Sequence, residues 1–142
     1  MKSKLLSVKQ ITDCCSGVHS LALAGDVIRF HRFPPLLETR YQSTADFQIR
    51  GGCGAGVRLR FRSNTDTLRL SVRYGREARA SYRGALIVDG GEDRAWGPEA
   101  RQGDWSGTLF TASGPGEHEF DLWLPHLCEM CGEPLKRHRF EP

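Results

Sequence analysis

The clearest pattern along the chain is a strict alternation of apolar and charged side chains. It runs through Val57-Arg58-Leu59-Arg60-Phe61-Arg62. After Ser63-Asn64-Thr65-Asp66 it resumes, with Leu68, Leu70, Val72 and Tyr74 set between Arg69, Ser71 and Arg73. A repeat of two belongs to a β-strand with one face buried and the other in water. Two such runs across a short polar turn predict an antiparallel hairpin. Further strands are predicted at Tyr82 to Val88, Trp105 to Thr111 and His118 to Leu124, the last with Phe120, Leu122 and Leu124 on one face. Between them, Asp89-Gly90-Gly91, Gly103-Asp104 and Ser113-Gly114-Pro115-Gly116 have turn chemistry.

Upstream, short apolar runs at Val18 to Leu23 and Val27 to Phe30 are broken by Gly17 and by Gly25-Asp26. They predict two or three short strands in residues 1–33. Pro34-Pro35 opens Leu36-Leu37-Glu38-Thr39-Arg40-Tyr41. Proline suits the first position of a helix, so one short helix is predicted over residues 35–43. Gly51 to Gly56 reads as a flexible connection. No repeat or composition break divides the chain, so residues 1–142 are expected to be one domain, best supported over 25–130. The expected fold is all-β: a two-sheet antiparallel β-sandwich of jelly-roll type with at most one or two short helices.

Composition agrees with that picture. A chain of 142 residues can bury a full core, and its sixteen glycines and seven prolines suit short strands and turns better than a helical bundle. The formal net charge of +3 is too small to argue for nucleic acid, and no such partner is expected. No membrane association is expected either, since no apolar run approaches the roughly 18–20 residues that span a bilayer. The apolar stretch after Lys2 and Lys4 is too short for a signal peptide. A cytoplasmic location with reduced cysteines is therefore expected, and the odd count of five speaks against a fully paired disulfide framework.

The order of these pieces resembles a known family. The run from Val57 to Arg62, Leu68 to Tyr74, Leu86-Ile87-Val88-Asp89-Gly90 and Gly116 to His126 are similar to the N-terminal β-sandwich domain of some SGNH (GDSL-type) hydrolases. In that family a jelly roll like those of carbohydrate-binding modules precedes a catalytic α/β/α domain. The resemblance implies an accessory domain that binds carbohydrate or packs on the catalytic domain. The family's Gly-Asp-Ser nucleophile motif has no counterpart here. Gly25-Asp26 is followed by Val27 and Gly103-Asp104 by Trp105. The expectation is the accessory part alone, either excised or standing by itself, with no catalytic residues.

Three groups of side chains are candidates for binding. The hairpin would place Arg58, Arg60, Arg62, Arg69 and Arg73 on one outer surface, able to grip carboxylates, phosphates or an acidic partner. The plain alternative is a solvated face neutralised by neighbouring acids. Trp96 and Trp105 lie in or beside Gly- and Pro-rich segments, where sandwiches present rings to sugars, and Trp123 falls out of phase with Phe120, Leu122 and Leu124. All three could equally be packing residues. Cys128-Glu129-Met130-Cys131-Gly132 has the shape of a zinc knuckle, with Cys14, Cys15, Cys53, His126 or His138 as further ligands. Ordinary reduced cysteines are the competing reading, and no cofactor is expected. If residues 127–131 continue as a strand, Cys128 and Cys131 point to opposite faces.

Overall fold

The computed structural model describes the backbone of residues 2–24, 27–100, 103–132 and 136–139, with side chains within 6–23, 27–100 and 103–129. Its elements in chain order are β1 (Lys2–Leu5), α1 (Val8–Cys14), β2 (Cys15–Ser16), β3 (Ser20–Ala24), β4 (Val27–His31), α2 (Pro35–Tyr41) and α3 (Ala45–Gly52). They continue with β5 (Arg58–Ser63), β6 (Thr67–Glu77), β7 (Gly84–Val88), β8 (Asp93–Trp96), β9 (Asp104–Thr111), β10 (His118–Trp123), β11 (Cys128–Gly132) and β12 (Lys136–Arg139). All pairings among these strands are antiparallel. The protein is mainly β and sandwich-like, as the alternation predicts.

One sheet runs β2-β5-β10-β7-β8. The other runs β1-β12-β6-β11-β4-β3, with β9 on the far side of β6. This topology corrects the predicted hairpin. β5 pairs with β10 and β2, whereas β6 pairs with β9, β11 and β12. The strands are consecutive but lie in different sheets, so residues 64–66 form an arch across the core. Two buried hydroxyl side chains support this crossing. Thr65 donates its backbone N–H to Ser63 Oγ at 3.2 Å, and its own hydroxyl donates to the Thr67 carbonyl at 2.8 Å. A free hairpin turn has no need to bury two polar side chains.

The apolar faces meet between the sheets. Val57, Leu59, Leu86, Phe120 and Leu122 approach from one side, and Ile28, Leu68, Leu70, Val72 and Phe110 from the other. Phe120 is fully buried, and its ring meets Phe110 edge-on at 5.0 Å, joining β10 to β9 across the interior. The offset geometry of aromatic pairs adds about 0.5–1.5 kcal/mol beyond area burial.

Among the described residues there are three short helices, one more than expected. α2 begins at Pro35, where the proline pair predicts it. The other two have cap signals. Ser7 and Gln10 form a reciprocal capping box, with Ser7 Oγ accepting from the Gln10 N–H and Gln10 Oε1 from the Ser7 N–H. Thr44 accepts from the Phe47 N–H at the start of α3, and that helix takes in Gly51 and Gly52, the first two residues of the predicted flexible connection. Buried Ile11 anchors α1 to the core. Before β3, Gly17 has φ +79°, and a Cβ there would lie 1.9 Å from the Gly56 carbonyl oxygen. Among the described residues, no helix is long and apolar enough to cross a membrane.

Phe120→Ala should destabilise the domain by about 3–5 kcal/mol, the cost of an aromatic cavity in a closed core. Gly17→Ala should also destabilise it, because the methyl group can relieve its clash only by moving the Gly56 backbone. Chemical denaturation of both variants checks this, and a loss under about 1 kcal/mol for Phe120→Ala would contradict the two-sheet core.

Candidate functional site

The crossing of β5 to β6 separates the five predicted arginines. Arg58, Arg60 and Arg62 lie on the outer side of the β5 sheet, and exposed Arg69 and Arg73 on the outer side of the β6 sheet. The shared patch expected from a hairpin is therefore not formed. Alternation turns each charged face outward, but the two outward directions are opposite once the strands join facing sheets.

On the β5 sheet the arginines meet acids of the adjacent strand β10. Arg58 donates from Nε and Nη2 to the two carboxylate oxygens of Asp121, at 2.6 and 2.7 Å. Arg60 Nη2 donates to Glu119 Oε1 at 2.7 Å, and Arg62 reaches Glu119 Oε2 at 3.4 Å and Glu117 at 4.0 Å. The strand register sets these neighbours, with Arg60 opposite Asp121 and Arg62 opposite Glu119. On the other sheet, Arg73 lies 3.8 Å from Asp104. Hydrogen bonding to Arg60, and then its charge, hold the Glu119 carboxyl below its usual range.

The tryptophans have neighbours of their own. Trp96 is on β8 rather than in a loop. It is buried, donates its indole N–H to the Ala85 carbonyl and packs on half-buried Trp105 at 5.6 Å between ring centres. Trp123 faces outward from Phe120 and Leu122, as its phase predicts, and the Arg58 guanidinium lies 4.9 Å from its ring centre.

Cys128 and Cys53 are buried, whereas Cys14 and Cys15 are half-buried, and all four are free thiols. A bridge between Cys53 and Glu129 brings the chain around Cys53 against β11. Burial pushes the Cys128 thiol up to about 12, with Cys53 and Glu77 adding to the effect, and raises Cys15 to about 11. Cys131 and His138 have side chains outside the described residues. Among the described residues, no three His, Cys, Asp or Glu side chains are grouped to hold a metal ion.

A site that the sequence did not suggest lies where α2 and α3 cover the β4–β11–β6 side of their sheet. It is a groove of about 390 Å³ whose lining includes Arg29, His31, Glu38, Tyr41, Arg76 and Glu129. His31 Nδ1 and Glu38 Oε1 are 2.7 Å apart. Arg76 donates from Nε and Nη2 to Glu129, which also accepts from the Arg76 backbone N–H. Gly75 permits this arrangement, since a Cβ there would come within 3.0 Å of the Glu129 side chain. Tyr41 stacks on Phe33 at 4.7 Å. No spacing motif joins these residues. His31 ends a strand and Glu38 lies on the following helix, and only their packing makes them neighbours.

No family model and no curated protein matches the sequence. Solved structures do match the fold. The salicylyl-acyltransferase SsfX3 from a tetracycline biosynthetic pathway aligns with a TM-score of 0.66 at 15% identity, over 99% of this chain and 42% of its own. A putative GDSL-like lipase from Bacteroides ovatus aligns with a TM-score of 0.57 at 16% identity, over 99% of this chain and 44% of its own. The likeness is one of fold. The chain thus spans less than half the length of either protein, and it is structurally similar to part of GDSL/SGNH hydrolase-family proteins.

Two predictions follow from the charges and thiols. Glu119 has a lowered folded pKa, so the stability it contributes is complete above its ordinary value of about 4.5 and is lost as pH falls through the folded value. Glu119→Gln should flatten the decline in stability below about pH 4.5, as followed by denaturation across pH. In the native protein Cys128 should resist alkylation at pH 8 and react once the chain unfolds, because the thiolate is the nucleophile. Mass spectrometry with and without denaturant checks this.

Proposed function

We propose that the chain is a non-catalytic β-sandwich domain that packs on the α/β domain of a GDSL/SGNH-type hydrolase. The observation that carries this reading is the lopsided coverage: nearly all of this chain aligns with less than half of each matching enzyme. Two further observations support it. The sequence has no Gly-Asp-Ser nucleophile motif. Leu36, Leu37 and Phe47, on the neighbouring helices α2 and α3, leave large apolar side chains exposed. Exposed apolar patches mark protein contact surfaces, and these side chains supply exposed apolar area on helices that contact one another. Sugar binding has less behind it, since each tryptophan is already engaged by a neighbouring side chain.

The test is to co-express the chain with the GDSL-type α/β domain encoded in frame with it or beside it. The pair should purify as a one-to-one complex, and the double variant Leu36→Ser, Phe47→Ser should lose association while keeping its fold. The isolated chain should not turn over p-nitrophenyl acetate. Turnover that disappears on replacing a single serine or cysteine would overturn the proposal, as would failure of the two domains to associate.

A further inference from the structure

We propose that the groove under α2 and α3 binds the carboxylate of a small molecule with a compact apolar body, and that Arg29 receives it. Two acids line the groove, and each is already engaged: Glu38 by His31 at 2.7 Å, and Glu129 by Arg76 through two guanidinium nitrogens. Arg76 is further occupied by Gln48 Oε1 at 3.2 Å. Arg29 lines the same groove from β4, is exposed, and has no acidic partner among the described residues. Arg29 is therefore the guanidinium of the groove that no acidic side chain among the described residues engages. A carboxylate can accept two parallel hydrogen bonds from a guanidinium, the geometry in which arginine exceeds lysine.

The remaining lining fits the rest of such a ligand. The Tyr41 hydroxyl and the Gln42 side-chain amide also line the groove without a side-chain hydrogen bond among the described residues, and both can donate to a carboxylate oxygen. Phe30 and Phe33 supply apolar wall beside them. A volume of about 390 Å³ is in the range of small-molecule sites, which combine apolar lining with a few converging polar groups. The walls are fixed in advance, because a hydrogen bond and an ion pair each tie one element to another. His31–Glu38 joins β4 to α2, and Arg76–Glu129 joins β6 to β11. Such preorganisation reduces the ordering cost of binding.

Titration of the isolated, isotopically labelled chain with benzoate, benzyl alcohol and inorganic phosphate, followed by amide NMR, tests the proposal independently of any association with an enzyme domain. Benzoate should bind saturably and shift the amides of Arg29, His31 and Tyr41. Benzyl alcohol, which has the apolar body without the charge, should bind about tenfold more weakly or worse, as should phosphate, which has charge without the body. Arg29→Gln should weaken benzoate by about tenfold or more, while Arg69→Gln, on an exposed position of β6, should leave it unchanged. Tyr41→Phe, which keeps the ring on Phe33, should weaken binding severalfold and provides a second variant should Arg29→Gln fail to fold. No saturable benzoate binding, equal binding of benzyl alcohol, or binding unaffected by Arg29→Gln would each overturn the proposal.

Discussion

Leu59 on β5 and Leu68, Leu70 and Val72 on β6 line the same interior from opposite sheets, because residues 64–66 carry the chain from one sheet to the other. The rest of the domain is arranged around that arch. A hairpin would have put both apolar faces on one sheet and left them in need of a second layer supplied from elsewhere. The arch lets consecutive strands provide both layers. β10 then closes on β5 from one side and β9 on β6 from the other, and Phe120 and Phe110 complete the contact between sheets. Within the crossing Ser63 Oγ accepts from the Thr65 N–H and the Thr65 hydroxyl donates to the Thr67 carbonyl, which avoids the cost of burying these groups unpaired.

The same crossing governs the electrostatics. Five arginines on one surface would repel at cross-strand distances near 5 Å. Divided between opposite outer faces, they form smaller groups that neighbouring strands can neutralise. β10 alternates Glu119 and Asp121 on its outer side, Glu117 directly precedes it, and the antiparallel register offers these acids to Arg62, Arg60 and Arg58. The β5 arginines are thus paired within their own sheet. Trp123 continues this surface beneath Arg58, so an aromatic ring and an ion pair are held by one guanidinium.

The helices contribute features that a bare sandwich lacks. α2 and α3 occupy the connection from β4 to β5, and α3 packs against β11. Their inner side closes the groove that contains Arg29, and their outer side exposes Leu36, Leu37 and Phe47. One connection of the fold thus carries both the helical wall of the groove and the exposed apolar side chains, while β4, β6 and β11 supply Arg29, His31, Arg76 and Glu129. Connecting segments on a rigid scaffold commonly carry function for this reason.

The sequence alone determined that the domain is built from short antiparallel strands, which side chains of β5, β6 and β10 are buried, and where α2 begins. Each of these depends on a local property: a period of two, a turn residue or a proline at a helix start. The capping box of α1 and the cap of α3 were written there too, in Ser7, Gln10 and Thr44, but such short helices have little apolar periodicity to draw attention to them. What the tertiary structure decided was partnership. Alternation along β5 and β6 is identical for a hairpin and for an arch, because side-chain direction depends on the strand's own pleat and not on the sheet it joins. For the same reason the five arginines could be assigned to the outside but not to a common surface. Trp96 was hidden as a core residue by the exposed Asp93, Arg94 and Ala95 that precede it. The groove was the least legible feature, since His31 meets Glu38 and Arg76 meets Glu129 through packing of separate elements, a contact that no local spacing encodes.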